Sequence, residues 1–305
     1  MQQVQELEQR HSPEVRDLLP VSVIIPTRNE ACNLPRCLES LRGVAEVYVV
    51  DSHSTDATCR IAREHGAKVV QFDYPGGWPK KRQWALDRLP LACDWVLLLD
   101  ADEALTPELF SEIENAIRNG DRSGYYIALD MFFLGRRLRF GNASFWKLSL
   151  FRRGHGHFEC RLEDQNLSMG DMEVHEHVMV DGPTARLKER IIHHNVNSLS
   201  HYIQKHNEYS NWEVRVWREG GGKGLQPNLW GTQAERRRWL RKKFLRFPGS
   251  PLLFFVYKYI FRLGFLDGVP GLIYCCFQGV QFFHIKAKIY EAGKAKSRAC
   301  AESAV

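Results

Sequence analysis

The sequence predicts an α/β protein built on a mainly parallel sheet flanked by helices, and three observations predict it. Apolar runs of strand length recur at Val21–Pro26, Val47–Val50, Lys68–Phe72 and Trp95–Leu99. Segments with apolar residues at helical spacing separate them. Three of the runs give way to polar or acidic residues at Thr27, Asp51 and Asp100. A continuous apolar run fits a strand covered on both faces, and alternation of such strands with helices argues for right-handed crossovers.

Residues 1–20 read as a polar arm that joins the fold at Leu18, Leu19 and Pro20. The first strand opens at Val21. Asn29, in the loop that follows, is the expected cap of a helix carrying Leu34, Cys37, Leu38 and Leu41. The second strand ends at Asp51, and Ser52 to Asp56 turns the chain into a helix with Cys59, Ile61 and Ala62. After the third strand, Gly76-Gly77-Trp78-Pro79 breaks the chain ahead of a helix from Lys80 to Leu89.

The fourth strand runs into acid. If the chain stays extended, Asp100 and Asp102 point to one side at the carboxyl end of the strand, where open α/β sheets place ligands. Two such carboxylates suit a hard divalent cation, which keeps one or two protein carboxylates and completes its shell with water and phosphate oxygens. A second reading stays open: Thr106 caps a helix begun by Pro107, and Asp102 and Glu103 are acids near its N-terminus. No GxGxxG or GxxxxGK[ST] follows the first strand, which counts against dinucleotide and P-loop sites. Lys80, Lys81 or Arg82, with a cation at Asp102, would have to hold phosphates instead.

Composition sets the outer bounds. With 305 residues, 44% hydrophobic and 26% charged, the chain can bury a large core. The formal net charge is +6, and the eight cysteines form no CxxC pair, as expected for reduced thiols in a cytosolic protein. Met1 to Arg10 has no apolar core of the kind a cleaved secretion signal needs.

Four ordered motifs, VSVIIPTRNE from Val21, VVDSHSTDAT from Val49, KRQWAL from Lys81 and LLLDADE from Leu97, resemble the inverting family-2 glycosyltransferases of GT-A fold. The resemblance is greatest to small bacterial enzymes of lipopolysaccharide-core and surface-polysaccharide synthesis. It implies that Pro26, Thr27 and Glu30 line a nucleoside pocket, that Asp51 bonds the uracil, and that Arg82 sits near the ribose and diphosphate. It also implies that Asp100 approaches the ribose and that Asp102 holds Mn2+ or Mg2+. Gln83 departs from the pattern, which has Asn there.

In the second half, Tyr125–Ala128, Asp130–Leu134 and Leu148–Phe151 read as strands. Phe132, Phe133, Phe145 and Trp146 supply either a platform for an acceptor sugar or core packing. Within Glu173–Val178 an extended chain turns Glu176 away from His175 and His177, which disfavours a metal site using all three. The resemblance implies that Glu176 is the general base; a surface carboxylate is the alternative. His194 either completes the metal shell, touches the diphosphate or packs as an ordinary histidine. Lys205 and Tyr209, on a helix expected from Ser200, are further candidates for diphosphate contacts.

Gly220-Gly221-Gly222 marks the expected boundary between a catalytic domain, residues 21–219, and an amphipathic helical region, residues 220–305. There a basic cluster from Arg236 to Arg246 precedes aromatic-rich sequence, and no charged residue lies between Gly268 and Ile285. Pro270, Gln278 and Gln281 interrupt that run, so helices lying in an anionic membrane surface are expected, peripheral and on the cytoplasmic face of the inner membrane. Nucleic acid is the rival partner, without a recognisable module; a solvated helix face is the plainer alternative. Gln233–Arg236 resembles the start of the QxxRW signature of processive synthases, but Arg237 breaks it. The expectation is therefore metal-dependent, inverting transfer of a single hexose from a nucleotide-sugar donor, UDP-linked, to a lipid-linked saccharide acceptor. The alternatives are nucleotidyl transfer to a sugar phosphate and a membrane-associated scaffold without turnover.

Overall fold

The computed structural model describes residues 18–161, 177–194, 198–219, 226–230 and 233–302. Strands β1 (Leu19–Thr27), β2 (Val44–Asp51), β3 (Lys68–Gln71) and β4 (Trp95–Leu98) pair in parallel in the order β3-β2-β1-β4. Helices α1 (Leu34–Glu39), α2 (Thr58–Glu64) and α3 (Lys81–Arg88) connect them. Alternation along the strands divides their apolar residues between two cores. Val23, Ile25, Val49, Leu97 and Leu99 pack with Leu34 and Leu38 of α1 and Ala62 of α2. Ile24, Tyr48, Val50, Val96 and Leu98 pack with Ala85 of α3 on the other face. Each fully buried aliphatic side chain contributes about 1.5–3 kcal/mol, so the doubly covered strands anchor the fold.

The rest of the sheet corrects the mainly parallel expectation. It continues through β8 (Trp146–Arg152), β6 (Gly124–Phe133), β11 (Thr184–His194) and β5 (Glu103–Ala104), with β7 (Arg136–Arg137) folded back on β6. The β4–β8, β8–β6 and β11–β5 pairings are antiparallel, and only β6–β11 is parallel in this half, so the sheet is mixed. α4 (Pro107–Asn119) precedes β6, and among the described residues no helix lies between β6 and β8, which pair antiparallel. A short ribbon of β9 (Gly156–Phe158) and β10 (Val178–Val180) stands apart.

Two local expectations change. Asn29 does not cap α1: it sits at φ 57°, and its side-chain oxygen accepts from Thr55 N at 2.8 Å. The helix begins after Asn33 instead. Nor does the chain stay extended through Asp102, because Ala101 and Asp102 form a turn between β4 and β5. Thr106 does cap α4, its hydroxyl accepting from Leu109 N at 3.1 Å. Asp102 and Glu103 precede that cap and lie outside the helix.

Helix α5 (Leu199–Arg218) is capped by Ser198. It is followed by α6 (Gln233–Arg246), α7 (Ser250–Val256), a π-helical turn (Tyr257–Phe261), a 3-10 turn (Gly264–Asp267) and α8 (Gly268–Glu302). One seam docks this region on the sheet domain and a second joins its own helices. Tyr274 and Cys275 of α8 pack with Leu138 and Ala143, and Phe282 and Ile285 pack with Val214 of α5 and Leu245 of α6. The bend into α8 depends on Gly271, where an added Cβ would lie 2.3 Å from the Gly264 carbonyl oxygen. Gly220–Gly222 falls outside the described residues.

Candidate active site

The carboxyl ends of β1, β2 and β4 meet at one edge. Thr27 pairs with Asp51, Pro26 with Val50 and Ile24 with Leu98, so Asp100 leaves β4 close to the level of Pro26. Lys81 Nζ, at the start of α3, donates to the Thr27 carbonyl at 2.8 Å and ties that helix to the edge. Asp51 is 0% exposed. Its Oδ1 accepts from Thr27 Oγ1 at 2.9 Å and Ser54 Oγ at 2.5 Å, and its Oδ2 from Ser54 N at 2.8 Å. Burial pushes its proton affinity up, and the Ser54 and Thr27 hydrogen bonds outweigh this and hold the carboxyl below its usual range. The geometry makes Asp51 a clamp on the Ser52–Asp56 turn at the edge where the resemblance puts the uracil contact.

Next to this clamp the acidic turn is built as a charge network. Asp100 pairs with the guanidinium of Arg82 and with Lys147 Nζ at 2.9 Å. Lys147 also lies 3.0 Å from Glu103 Oε2, and the same oxygen accepts from Asp100 N at 2.9 Å. Burial raises the proton affinity of Asp100; Arg82 and then Lys147 outweigh that and hold it far below the carboxylate range. Arg82 is therefore engaged by Asp100 in the arrangement described. Glu30 behaves in the opposite way. Burial pushes its carboxyl up despite a 2.8 Å hydrogen bond from Asn33, and the fields of Asp102 and Asp100 add to the rise.

Asp102 faces a histidine, but not the expected one. His193 Nε2 lies 3.3 Å from Asp102 Oδ2, and Nδ1 lies 3.8 Å from Glu103. Burial disfavours the imidazolium, and Asp102 and Glu103 outweigh it to raise the affinity of His193 for a proton. His194 occupies the opposite face of β11. Its ring sits 5.2 Å from Phe132, and only its backbone N–H reaches Asp102, at the carbonyl, 3.0 Å away. Burial, with Arg36 and His193 nearby, lowers its proton affinity. One residue of alternation separates the two roles. Arg36 of α1 braces the same point, donating to the carbonyls of Asp102 at 3.0 Å and His194 at 2.9 Å.

Across the edge, Lys205 of α5 is held strongly protonated by Tyr209 first, against the effect of burial, and then by Asp102, Asp100 and Glu30. Glu176 lies outside the described residues. Among the described residues no three His, Cys, Asp or Glu side chains form a ready metal cage. A cation that draws most of its shell from water and phosphate does not require one. Asp102 supplies a hard carboxylate oxygen at the strand ends, and its charge is felt by the Glu30 carboxyl, so the oxygen donors present fit Mn2+ or Mg2+.

Several contributors escaped the sequence reading. Lys147 left one trace, a charge inside the apolar run Trp146–Phe151, and an inward charge in a buried strand implies a partner. His193 was hidden by its neighbour, since a doublet does not show which member faces the site. Arg36 carries no sequence signal that separates it from a surface arginine.

A sheet of this order with an acidic turn at its carboxyl edge has the GT-A fold. The model of glycosyl transferase family 2 matches residues 22–172, and the chain belongs to that family. It is 26% identical over 288 residues to the lipopolysaccharide core biosynthesis glycosyltransferase LpsC of Rhizobium meliloti, covering 92% of this chain and 95% of that protein. It is 32% identical over 200 residues to the uncharacterized glycosyltransferase RC0292 of Rickettsia conorii, covering 64% of this chain and 69% of the relative. Among solved structures, S. aureus TarS 1-349 aligns over 90% of this chain and 91% of its own at 18% identity, with a TM-score of 0.45.

Proposed function

We propose that this enzyme transfers one hexose, with inversion, from a UDP-linked sugar to a lipid-linked saccharide of lipopolysaccharide core or a related surface glycan. Similarity to LpsC along nearly the whole chain supports the acceptor class. The observation that carries the reading is the division of labour in the acidic turn. Arg82 and Lys147 neutralise Asp100 and Glu103, while His193 is the partner of Asp102 at the same edge.

Asp102 would hold Mn2+ or Mg2+, and a bound ion would neutralise charge that builds on the departing diphosphate. Lys205 adds a fixed positive charge on the same side. Pro26 and Thr27 form the floor of the nucleotide site, kept level by the Asp51 clamp. Glu176 would remove the acceptor hydroxyl proton as that oxygen attacks the anomeric carbon from the face opposite the nucleotide. A single carboxylate suffices, in contrast to the pair that glycoside hydrolysis requires.

The test is incubation of the full chain with a panel of nucleotide sugars and Mn2+ or Mg2+. Asp102→Asn is expected to weaken metal-dependent donor binding. Glu176→Gln is expected to leave donor binding near normal and to slow transfer roughly 10²- to 10⁴-fold. Absence of transfer, donor hydrolysis and nucleotide-induced thermal shift across the panel would sink the reading. Full turnover by Glu176→Gln would remove the base assignment alone.

A further inference from the structure

Helix α8 is apolar on the face it exposes as well as on the face it buries. Val269, Leu272, Cys276, Val280, Phe283 and Tyr290 are all exposed, and they recur every three, four or seven residues along one side. The outward stripe of a surface helix in water is normally polar. This one runs for roughly 30 Å. Its apolar character continues round the bend through Ile260, Phe261, Leu263, Phe265 and Leu266 and onto Leu252 and Leu253 of α7. Phe261 is 73% exposed, and Leu252 and Val269 are each 67% exposed.

Charge says what covers this ribbon. From Arg236 to Tyr290 the sequence contains one acid, Asp267. That residue is 3% exposed, and its carboxylate accepts from Arg139 N at 3.2 Å and Phe140 N at 2.9 Å. The segment therefore turns only apolar and basic side chains outward. Arg262 stands at the bend, and on α6 the side chains of Trp239, Lys242, Lys243 and Arg246 line a cavity of about 380 Å³ together with Gln226 and Pro227. A second copy docking by the same face would bring cations against cations, with Glu291 at the end of the stripe as the one exposed carboxylate among the described residues from 236 to 294. Lipid phosphates would satisfy them.

Shape limits how the ribbon can meet lipid. Among the described residues no single helix is long and apolar enough to cross a membrane; Ser250–Phe261 and Gly264–Lys294 reach that length and hydropathy only as a pair, bent by 72° into a broken or re-entrant path. The inner face of α8 is already taken by protein, through Tyr274, Cys275, Phe282 and Ile285. The geometry points to the α7–α8 ribbon as an in-plane docking surface for an anionic bilayer, its apolar side chains in the headgroup–acyl boundary and the α6 and Arg262 cations on lipid phosphates. The anionic cytoplasmic leaflet of the inner membrane is such a surface.

The test is flotation of the full chain with vesicles of phosphatidylcholine alone or mixed with phosphatidylglycerol. Co-flotation is expected with the anionic vesicles and to fall about tenfold or more on neutral ones. The triple variant Leu252→Glu, Phe261→Glu, Val269→Glu should lose co-flotation while keeping its circular dichroism and melting midpoint, since all three side chains face outward. If it unfolds, the charge variant Lys242→Gln, Lys243→Gln, Arg262→Gln decides instead, by losing the preference for anionic vesicles. Wild-type protein that stays off anionic vesicles would overturn the proposal. So would a folded triple or charge variant that binds them as wild type does, or a bound chain that resists alkaline extraction. A lipid-free dimer dissolved by the triple variant, with no vesicle binding by wild type, would instead make this face a subunit interface.

Discussion

Lys147 of β8 holds its ammonium 2.9 Å from Asp100 Oδ2 and 3.0 Å from Glu103 Oε2, so one strand side chain neutralises both ends of the acidic turn. Glu103 is 1% exposed. Removing one partner of a buried ion pair strands the other charge, which costs more than the pair was worth. Lys147→Met is therefore expected to destabilise the protein by roughly 3 kcal/mol and to weaken donor binding as Asp100 and Glu103 repel. Urea denaturation with an unchanged m-value, alongside nucleotide titration, checks both outcomes. A variant as stable as wild type would show that Arg82 and His193 can carry the turn without Lys147.

Glu30 presents the reverse balance. Its carboxyl is raised by burial first and then by Asp102 and Asp100, so the folded chain holds that proton more tightly than the unfolded chain does. Its contribution to stability is fully present below the unfolded carboxyl range and is lost as pH rises through the folded value. Glu30→Gln is thus expected to raise Tm by a few degrees at neutral pH, with the gain vanishing in mild acid. The same change should weaken metal-dependent donor binding, because the repulsion it relieves is what a cation would use. Melting curves at neutral and acid pH, with and without Mn2+ and donor, separate the two effects.

Much of this was legible before any coordinates. The strands through Leu98 were readable because both their faces are buried, which leaves unbroken apolar runs, and the acidic turn was readable because acids abruptly end such a run. The second half of the sheet was harder to place: β6 merges two expected strands into one, and nothing local in Thr184–His194 announces pairing with both Gly124–Phe133 and Glu103–Ala104. The charge network was invisible for a related reason. Lys147, Glu103 and His193 come from three distant strands, and only register brings them within 4 Å. Resemblance placed Asp51 at the right edge, but the Ser54 hydroxyl and amide that occupy its oxygens are set by a turn conformation that the motif does not encode.

Gln83 shows that a departure from family pattern can have a structural use. Its Oε1 accepts from Phe158 N at 2.6 Å, and its Nε2 donates to Asp87 at 2.7 Å. Phe158 ends β9, and the β9–β10 ribbon brackets the segment that carries Glu176. Asn is one methylene shorter and would not span the same gap. Gln83→Asn should therefore leave a buried N–H unpaired at about 1–3 kcal/mol. If the bracket also orients the base segment, kcat should fall more than KM rises. Urea melts and steady-state kinetics test this, and a stable variant with unchanged kcat would show that water replaces the amide.

Lys258 lies in the π-helical turn with its ammonium 4.8 Å from the Tyr274 ring centroid, 5.6 Å from that of Phe254 and 3.4 Å from the Asn142 carbonyl oxygen. Burial lowers its pKa to about 8, with Arg262 adding to the fall and Cys275 opposing it. Between about 8 and the ordinary lysine value the unfolded chain binds this proton while the folded chain does not, so stability climbs with pH across that window. Below it, the folded protein carries a desolvated charge at a cost on the order of 3 kcal/mol. Lys258→Met keeps the bulk and removes the charge. It is expected to be more stable than wild type at pH 7, with the advantage shrinking steadily above pH 8 and largely gone near the ordinary lysine pKa. Chemical denaturation of both proteins across that range measures it. A constant difference at every pH would mean that packing, and not the buried charge, separates them.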